Sequence, residues 1–459
     1  MSEQPSHIPF PISGSYPVRP GNFVRPLIDG EPAFRRICEA VEAACHSVWV
    51  TVTFIRPGFH MPDDRGTFFD VLDRAVQRGL DVRVIFWRPN PEATYVDEDS
   101  ICSGSQADRD MLSSRGSRFR IRWDRAHEAF CQHQKCWVID AGQSSETTFV
   151  GGININPLAM VGPGHAGGGG SHDAYVEVSG PSATDVHHNF VQRWNGASER
   201  TAEDGVWGHD GDDDLAFPTR LSIAKGASFV QIQRNVHAGL YRDGRPSPGA
   251  KPFEIGNGEA TIREQYLTAI RAACRSIYIE NQALAVEAVV DGLKDALARG
   301  VEVIVLLPAA PESWFCAARR RPEHMKFFDK LASLGRHENF ALVGIAGHDP
   351  AGMRNNIHVH AKLMLIDDVW ATIGSCNLHR TSMFGHTELN ASFCDPVVVR
   401  ALRCQLFAEH LGRNTDHLDD RAAMGVYRQA VTENARKRDS GKCDWQGIAF
   451  SLDPATYGM

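Results

Sequence analysis

No stretch of this chain is long and apolar enough to cross a bilayer. The longest apolar-rich runs, near Val48–Ile55 and Val303–Ala310, fall well short of the roughly 20 residues a spanning helix needs. The N-terminal MSEQPSHIPFPISGSYPVRP has no basic region followed by an apolar one, so no secretory leader is expected. Positive charge is not in surplus either. The net charge is −8, which gives no support to a general nucleic-acid binder, whose surface would carry a basic face. Eleven cysteines are present, an odd number without any CxxC pair, which argues against a disulfide framework or zinc module and for reduced thiols. Cys131 and Cys136, on either side of His133, are read as packing residues. Together these absences predict a soluble, cytoplasmic, monomeric protein, at most peripheral at a membrane surface.

Two further patterns are incomplete. Asp210-Gly211-Asp212-Asp213-Asp214 lacks the spaced ligands and closing Glu of a calcium loop, and is read as part of a solvated linker. The glycine run within 162–171 has neither the Lys-Ser/Thr nor the helix start of a phosphate cradle, and is read as a flexible loop.

What the chain does contain is one phrase twice. His133-Gln134-Lys135-Cys136-Trp137-Val138-Ile139-Asp140 and His360-Ala361-Lys362-Leu363-Met364-Leu365-Ile366-Asp367 are both His-x-Lys-x4-Asp. Gly151-Gly152-Ile153-Asn154 follows the first and Gly374-Ser375-Cys376-Asn377 the second, so the copies match beyond their first residues. The surroundings match as well. Helix-like Glu31–Cys45 leads to the strand-like run Ser47–Phe54, and Ile262–Cys274 leads to Ser276–Gln282. Phe68–Gly79 then precedes Leu80–Trp87, as Val289–Gly300 precedes Val301–Leu307, each helix ending in Arg-Gly, where glycine suits a left-handed cap. Apolar strands alternating with amphipathic helices predict sheets covered on both faces. The expected division is 1–205, a linker at 206–220, and 221–459, the last ending beyond about Asn414 in a polar extension.

On a strand, residues i and i+2 share a face, so His133 projects beside Lys135 and His360 beside Lys362, with Gln134 and Ala361 turned away. Two such strands meeting would converge two imidazoles and two ammonium groups. That is a site for an anion, and phosphodiester cleavage is the chemistry suited to it. One imidazole near its ordinary pKa can be neutral and attack phosphorus, forming a phosphohistidine; the other can be protonated and serve the leaving alkoxide, then activate water or an alcohol. Lys135, Lys362, Asn154 and Asn377 are expected to hold the nonbridging oxygens. Each histidine needs an orienting carboxylate, for which Asp173 and Glu388 are the candidates. Asp140 and Asp367 end their strands and, with Ser375, are assigned supporting contacts. No metal and no cofactor is required.

These motifs resemble the phospholipase D superfamily, whose duplicated signature is His-x-Lys-x4-Asp followed by Gly-Gly/Ser-x-Asn/Asp. Ile277-Tyr278-Ile279-Glu280-Asn281-Gln282, His172-Asp173, Gly180-Pro181, Asn189-Phe190-Val191-Gln192-Arg193-Trp194 and Thr381-Ser382-Met383 are similar to segments of phospholipase D proper, and the resemblance covers roughly residues 25–410. It implies two α/β/α sandwich domains related by pseudo-twofold symmetry with the active site at their interface. It further implies His133 as nucleophile and His360 as acid/base, an assignment spacing alone leaves open. The implied substrate is a phospholipid such as phosphatidylcholine, with water or an alcohol as acceptor. A cardiolipin synthase-like phosphatidyltransferase and a nuclease are the alternatives within this chemistry. A catalytically silent binding protein is disfavoured because no motif residue is missing.

Overall fold

The computed structural model describes residues 7–56, 58–93, 96–127, 129–197, 213–241 and 243–459. The first half runs β1 (Arg19–Ile28), α1 (Gly30–Ala43), β2 (Ser47–Val52), α2 (Phe68–Gln77), β3 (Asp81–Trp87), α3 (Gln106–Arg115), β4 (Arg120–Asp124), β5 (Cys136–Ile139), β6 (Thr147–Gly151), β7 (Ser171–His172), β8 (Ala174–Ser179) and α4 (Ala183–Gly196). The second continues with β9 (Ser228–Val236), β10 (Glu259–Ala260), α5 (Thr261–Ala272), β11 (Ser276–Glu280), α6 (Glu287–Ala298), β12 (Glu302–Leu306), α7 (Ser313–Arg319), α8 (Met325–Leu334) and β13 (Phe340–His348). It ends with β14 (Arg354–Asn356), β15 (His358–Val359), β16 (Leu363–Ile366), β17 (Trp370–Gly374), α9 (Arg380–Phe384), β18 (Glu388–Cys394), α10 (Pro396–Leu411), α11 (Asp420–Asp439) and β19 (Ala449–Leu452).

The duplication is visible in the strand order. One sheet reads β1-β8-β6-β5-β2-β3-β4, with β2, β3 and β4 parallel and the remaining pairs antiparallel. The other reads β9-β18-β17-β16-β11-β12-β13, with β11, β12 and β13 parallel and the remaining pairs antiparallel. Gly79 and Gly300 have φ of 84° and 83°, the left-handed conformation expected where each Arg-Gly ends its helix.

Three apolar cores follow from the two-residue period of the strands. Val48, Val50 and Val52 of β2 point to a core under α1 and α2, while Trp49 points the other way. In β16, Met364 and Ile366 face a core under α5, α6 and α8, whereas Leu363 and Leu365 face inward. The inward residues of both sheets, among them Val138, Val150, Val176, Ile232, Leu363 and Ile373, form one continuous core. The two halves are therefore bound by apolar packing. Among the described residues, no helix is long and apolar enough to cross a membrane.

Three segments differ from their sequence reading. Residues 206–212 of the expected linker lie outside the described residues, but Asp213 and Asp214 beyond them are ion-paired with Arg122, and the Asp213 carbonyl accepts from Arg83 at 2.9 Å. The C-terminal extension is integral to the fold. Ala423, Met424, Tyr427 and Val431 of α11 are buried, and β19 pairs antiparallel with the edge strand β13. The apolar stripe is narrow, and eight of the 20 residues of α11 are charged, which is why its pattern read as weak. The glycine run is held rather than free: Gly164 N–H donates to Glu409, Gly167 N–H to the His348 carbonyl, and the Gly170 carbonyl accepts from His358 N–H.

Candidate active site

Each His-x-Lys lies in extended chain just ahead of its strand, because its backbone partners belong to the other half of the molecule. His133 N–H donates to the Thr387 carbonyl at 2.9 Å, and Thr387 N–H to the Cys131 carbonyl at 3.0 Å. His360 and Ala361 N–H both donate to the His172 carbonyl, at 2.8 and 3.0 Å. These contacts set Glu388, the residue after Thr387, beside His133, and Asp173, the residue after His172, beside His360. The orienting pairs are thus crossed. His133 Nδ1 lies 2.9 and 3.1 Å from the Glu388 carboxylate oxygens, and His360 Nδ1 lies 2.6 Å from Asp173 Oδ2. With Nδ1–H donating to a carboxylate, Nε2 of each ring is the nitrogen left with a lone pair.

Lys135 Nζ donates to the His133 carbonyl at 3.0 Å, and Lys362 Nζ to the His360 carbonyl. One such bond leaves two N–H donors on each ammonium. Asn154 and Asn377 each have a buried Oδ1 without a hydrogen-bond partner, and only the Nδ2 end of either amide can donate to a phosphate oxygen. Ser375 Oγ donates to Glu388 Oε2 at 2.5 Å and accepts from Leu389 N–H at 3.0 Å. At the equivalent Gly152, a Cβ would stand 2.5 Å from Asp173 Oδ1 and 3.1 Å from Lys362 Cδ. A shorter carboxylate with no room for a hydroxyl in one copy thus corresponds to a longer one held by serine in the other.

Asp140 and Asp367 lie at the opposite ends of their strands, on the order of 20 Å of extended chain from the histidines. Asp140 accepts from the N–H groups of Cys45, His46 and Ser47; Asp367 accepts from those of Cys274, Arg275 and Ser276. Each closes the turn leading into the strand beside its own, β2 and β11 respectively, with φ of 54° and 56°.

The electrostatics depart from a ready-made acid and base. Burial, then the Lys135 and Lys362 charges, hold the His133 pKa well below the ordinary imidazole value. Burial, then the Lys362 charge, does the same to His360. Both rings are therefore neutral near pH 7, where the sequence suggested one of each kind. Burial lowers Lys135 to about 8 and Lys362 to about 7, and raises Asp173 to about 6 and Glu388 above its ordinary value. Bringing in an anion offsets this clustering of positive charge and makes protonating one ring less costly.

Other groups border the site. The Phe54 ring lies 5.9 Å from Lys135 Nζ and 6.3 Å from the His133 ring. Gln134, turned away as expected, accepts from Asn189 Nδ2 at 2.8 Å and donates to the Glu388 carbonyl at 3.2 Å, bracing α4 against the second half. His172 and Glu280 form a further buried pair at 2.9 Å. A glutamate closing the apolar run Ile277–Ile279 was the available hint, since a buried charge requires a partner.

Residues 266–410 match the family model described as the cardiolipin synthase, PLD-like domain. The chain is 23% identical to phospholipase D A of Dictyostelium discoideum, over 82% of this chain and 33% of that protein. It is 24% identical to cardiolipin synthase A of Pseudomonas entomophila, over 81% and 65%, and 22% identical to phospholipase D alpha 4 of Arabidopsis thaliana, over 84% and 65%. The chain thus spans from 33% to 65% of the lengths of these relatives. In fold it is similar to the crystal structure of phosphatidylserine synthase from Haemophilus influenzae, with a TM-score of 0.54 at 13% identity, covering 91% of this chain and 94% of that one.

Proposed function

This chain belongs to the phospholipase D superfamily, and from its site we propose that it cleaves the head-group phosphodiester of a phospholipid such as phosphatidylcholine through a covalent phosphohistidine. The observation that carries the reading is the pair of crossed histidine–carboxylate contacts with two buried lysines beside them. His133 Nε2 attacks phosphorus as the bond to the head-group oxygen breaks; His360, protonated once the anion is bound, gives that oxygen its proton. Neutral His360 then takes a proton from water or an alcohol, whose oxygen displaces Nε2 of His133. Phosphatidic acid or a new phosphodiester leaves, and both rings return to their starting state. Lys135, Lys362, Asn154 and Asn377 bind the nonbridging oxygens, where charge builds in the transition states.

Mixed phospholipids and plasmid DNA, each with and without ethanol, test this reading. Phosphatidic acid is the expected product, joined by phosphatidylethanol only when ethanol is present. Nicked DNA beside intact lipid would make the protein a nuclease. The match to a cardiolipin synthase domain favours a second reading, transfer of a phosphatidyl group onto a lipid alcohol. Conversion of phosphatidylglycerol alone to diphosphatidylglycerol and glycerol would establish it.

Two further results are expected. A singly charged phosphodiester such as dimethyl phosphate should bind more weakly as pH rises through about 7 and 8, where Lys362 and Lys135 lose their protons. Each lysine titrated contributes up to about tenfold per pH unit, and calorimetry in buffers of different ionisation heat should detect proton uptake on binding. PH-independent affinity would exclude the lysines as the anion's partners. Gly152→Ala pushes a methyl group against Asp173 and Lys362. It should lower kcat by about 100-fold with a nearly unchanged melting temperature, whereas wild-type kcat would mean the contact has no bearing on turnover.

A further inference from the structure

Behind Asp173, the structure gathers a second set of buried ionisable groups. Asp29 follows β1, His165 sits in the glycine run, His172 ends β7, and Glu409 lies on α10. Their side chains are 0%, 0%, 0% and 3% exposed. His165 Nε2 and His172 Nδ1 are 3.4 Å apart. The Asp29 carboxylate is 3.5 Å from the first and 3.0 Å from the second, and the Glu409 carboxylate is 3.8 Å from both. Tetrahedral zinc with arms of about 2.0–2.1 Å requires donors about 3.3–3.4 Å apart. Five of the six edges of such a tetrahedron fall between 3.0 and 3.8 Å.

The far sides of both rings are arranged as a metal site requires. His165 Nδ1 lies 3.1 Å from the Gly169 carbonyl, an acceptor only, so that nitrogen bears the hydrogen and Nε2 turns a lone pair inward. His172 Nε2 lies 2.9 Å from Glu280 Oε2 and its Nδ1 3.0 Å from Asp29 Oδ1, so a metal ion would take the place of the hydrogen on Nδ1 while Nε2–H kept its carboxylate partner. Metal-ligating histidines characteristically donate their other N–H to a carbonyl or a carboxylate. The near sides are incomplete. Asp29 Oδ2 and Glu409 Oε2 are buried without a partner. Among the described residues, no lysine or arginine is ion-paired with Asp29, Glu280 or Glu409.

We propose that Asp29, His165, His172 and Glu409 form a four-coordinate site for a divalent transition metal, zinc by donor set and spacing, that ties the glycine run to both halves of the molecule. Asp29 and His172 come from the first sheet and its continuation, Glu409 from the second half, and His165 from the loop between them. The site adjoins the proposed chemistry: Asp29 N–H donates to the Asp173 carbonyl at 2.8 Å, and the His172 carbonyl accepts from His360 N–H at 2.8 Å. It gives a run of small residues, flexible in isolation, a reason to be pinned in place: Gly164, Gly167, Gly168 and Gly170 adopt positive φ values, as does His165 itself at 48°.

The test is metal content of the full chain. Protein stripped with chelator, given Zn²⁺ and passed through a column with a moderate competing chelator should retain one zinc per chain, and the zinc-loaded form should melt at a higher temperature than the stripped form. Co²⁺ in its place should give the intense visible absorption of a four-coordinate site. His165→Ala should weaken zinc binding by at least about 100-fold, and Glu280→Gln, which meets the ligand His172 on its far side and also accepts from Tyr278 Oη, by about 10- to 100-fold. His417→Ala, a substitution of an exposed histidine, should change nothing. The proposal is overturned if the wild-type chain retains no zinc, or if His165→Ala retains it as tightly. Stoichiometry of the wild type decides the matter even where a variant fails to fold.

Discussion

His133→Asn is expected to abolish turnover, by about 10⁴-fold or more, and to leave no phosphoenzyme after acid quench. Asparagine has no lone-pair nitrogen to attack phosphorus. His360→Asn should behave differently. Attack by His133 remains available, so turnover falls by about 10²- to 10⁴-fold, the span of a lost general acid–base, and with an easily expelled head group such as p-nitrophenol the covalent intermediate accumulates. Radiolabelled phosphatidyl substrate and gel analysis after denaturation distinguish the two variants. The reverse pattern would exchange the roles of the histidines. Normal activity in His133→Asn would end the two-histidine scheme, and both variants should retain the wild-type circular dichroism, since each asparagine is smaller than the ring it replaces.

The second large effect follows from the crossing. Glu388→Gln lies on the second half but should disable the histidine of the first, because its carboxylate accepts from His133 Nδ1. An amide can present N–H where an acceptor is needed, which favours the wrong tautomer and removes the charge that stabilises the ring as it reacts. By analogy with other histidine–carboxylate pairs, the loss in kcat should approach about 10⁴-fold. Phosphoenzyme formation should be the slowed step. Asp173→Asn, by contrast, acts on His360 and should reproduce the accumulation seen with His360→Asn. Rapid-quench measurement of formation and breakdown in the two variants decides this. If Glu388→Gln slowed breakdown and Asp173→Asn slowed formation, each carboxylate would serve the histidine of its own copy or the histidine roles would be exchanged, and the His133→Asn result separates those cases.

Much of this was legible before any coordinates. Val48, Val50 and Val52 alternate with Trp49 and Thr51, so a strand between two packed faces could be read from residue type alone. Gly79 and Gly300 mark helix ends because only glycine adopts their positive φ without strain. The motif chemistry was equally local, since histidine, lysine, asparagine and carboxylate each bring a fixed set of donors and acceptors. The narrow apolar stripe of α11 was not legible, because a helix whose remaining positions are mostly charged, polar or small reads as solvated until β19 and β13 are seen beside it. His165 was missed for the same reason: in a glycine-rich context its side chain has no periodicity to say where it points.

By itself, then, the sequence determined the duplication and the element order within each half, and it named the candidate residues for an anion site. Those properties depend on neighbours a few positions apart, where period, cap and residue type are decisive. Only the tertiary structure decided which carboxylate serves which histidine, that both rings are neutral in a shared positive field, and that four ligand-bearing side chains meet behind Asp173. His133 meets a residue 255 positions away and His360 one 187 positions away. Pairings at that range are set by the backbone hydrogen bonds at Thr387 and His172 and by the shared core between the sheets, where no local pattern in the chain records them.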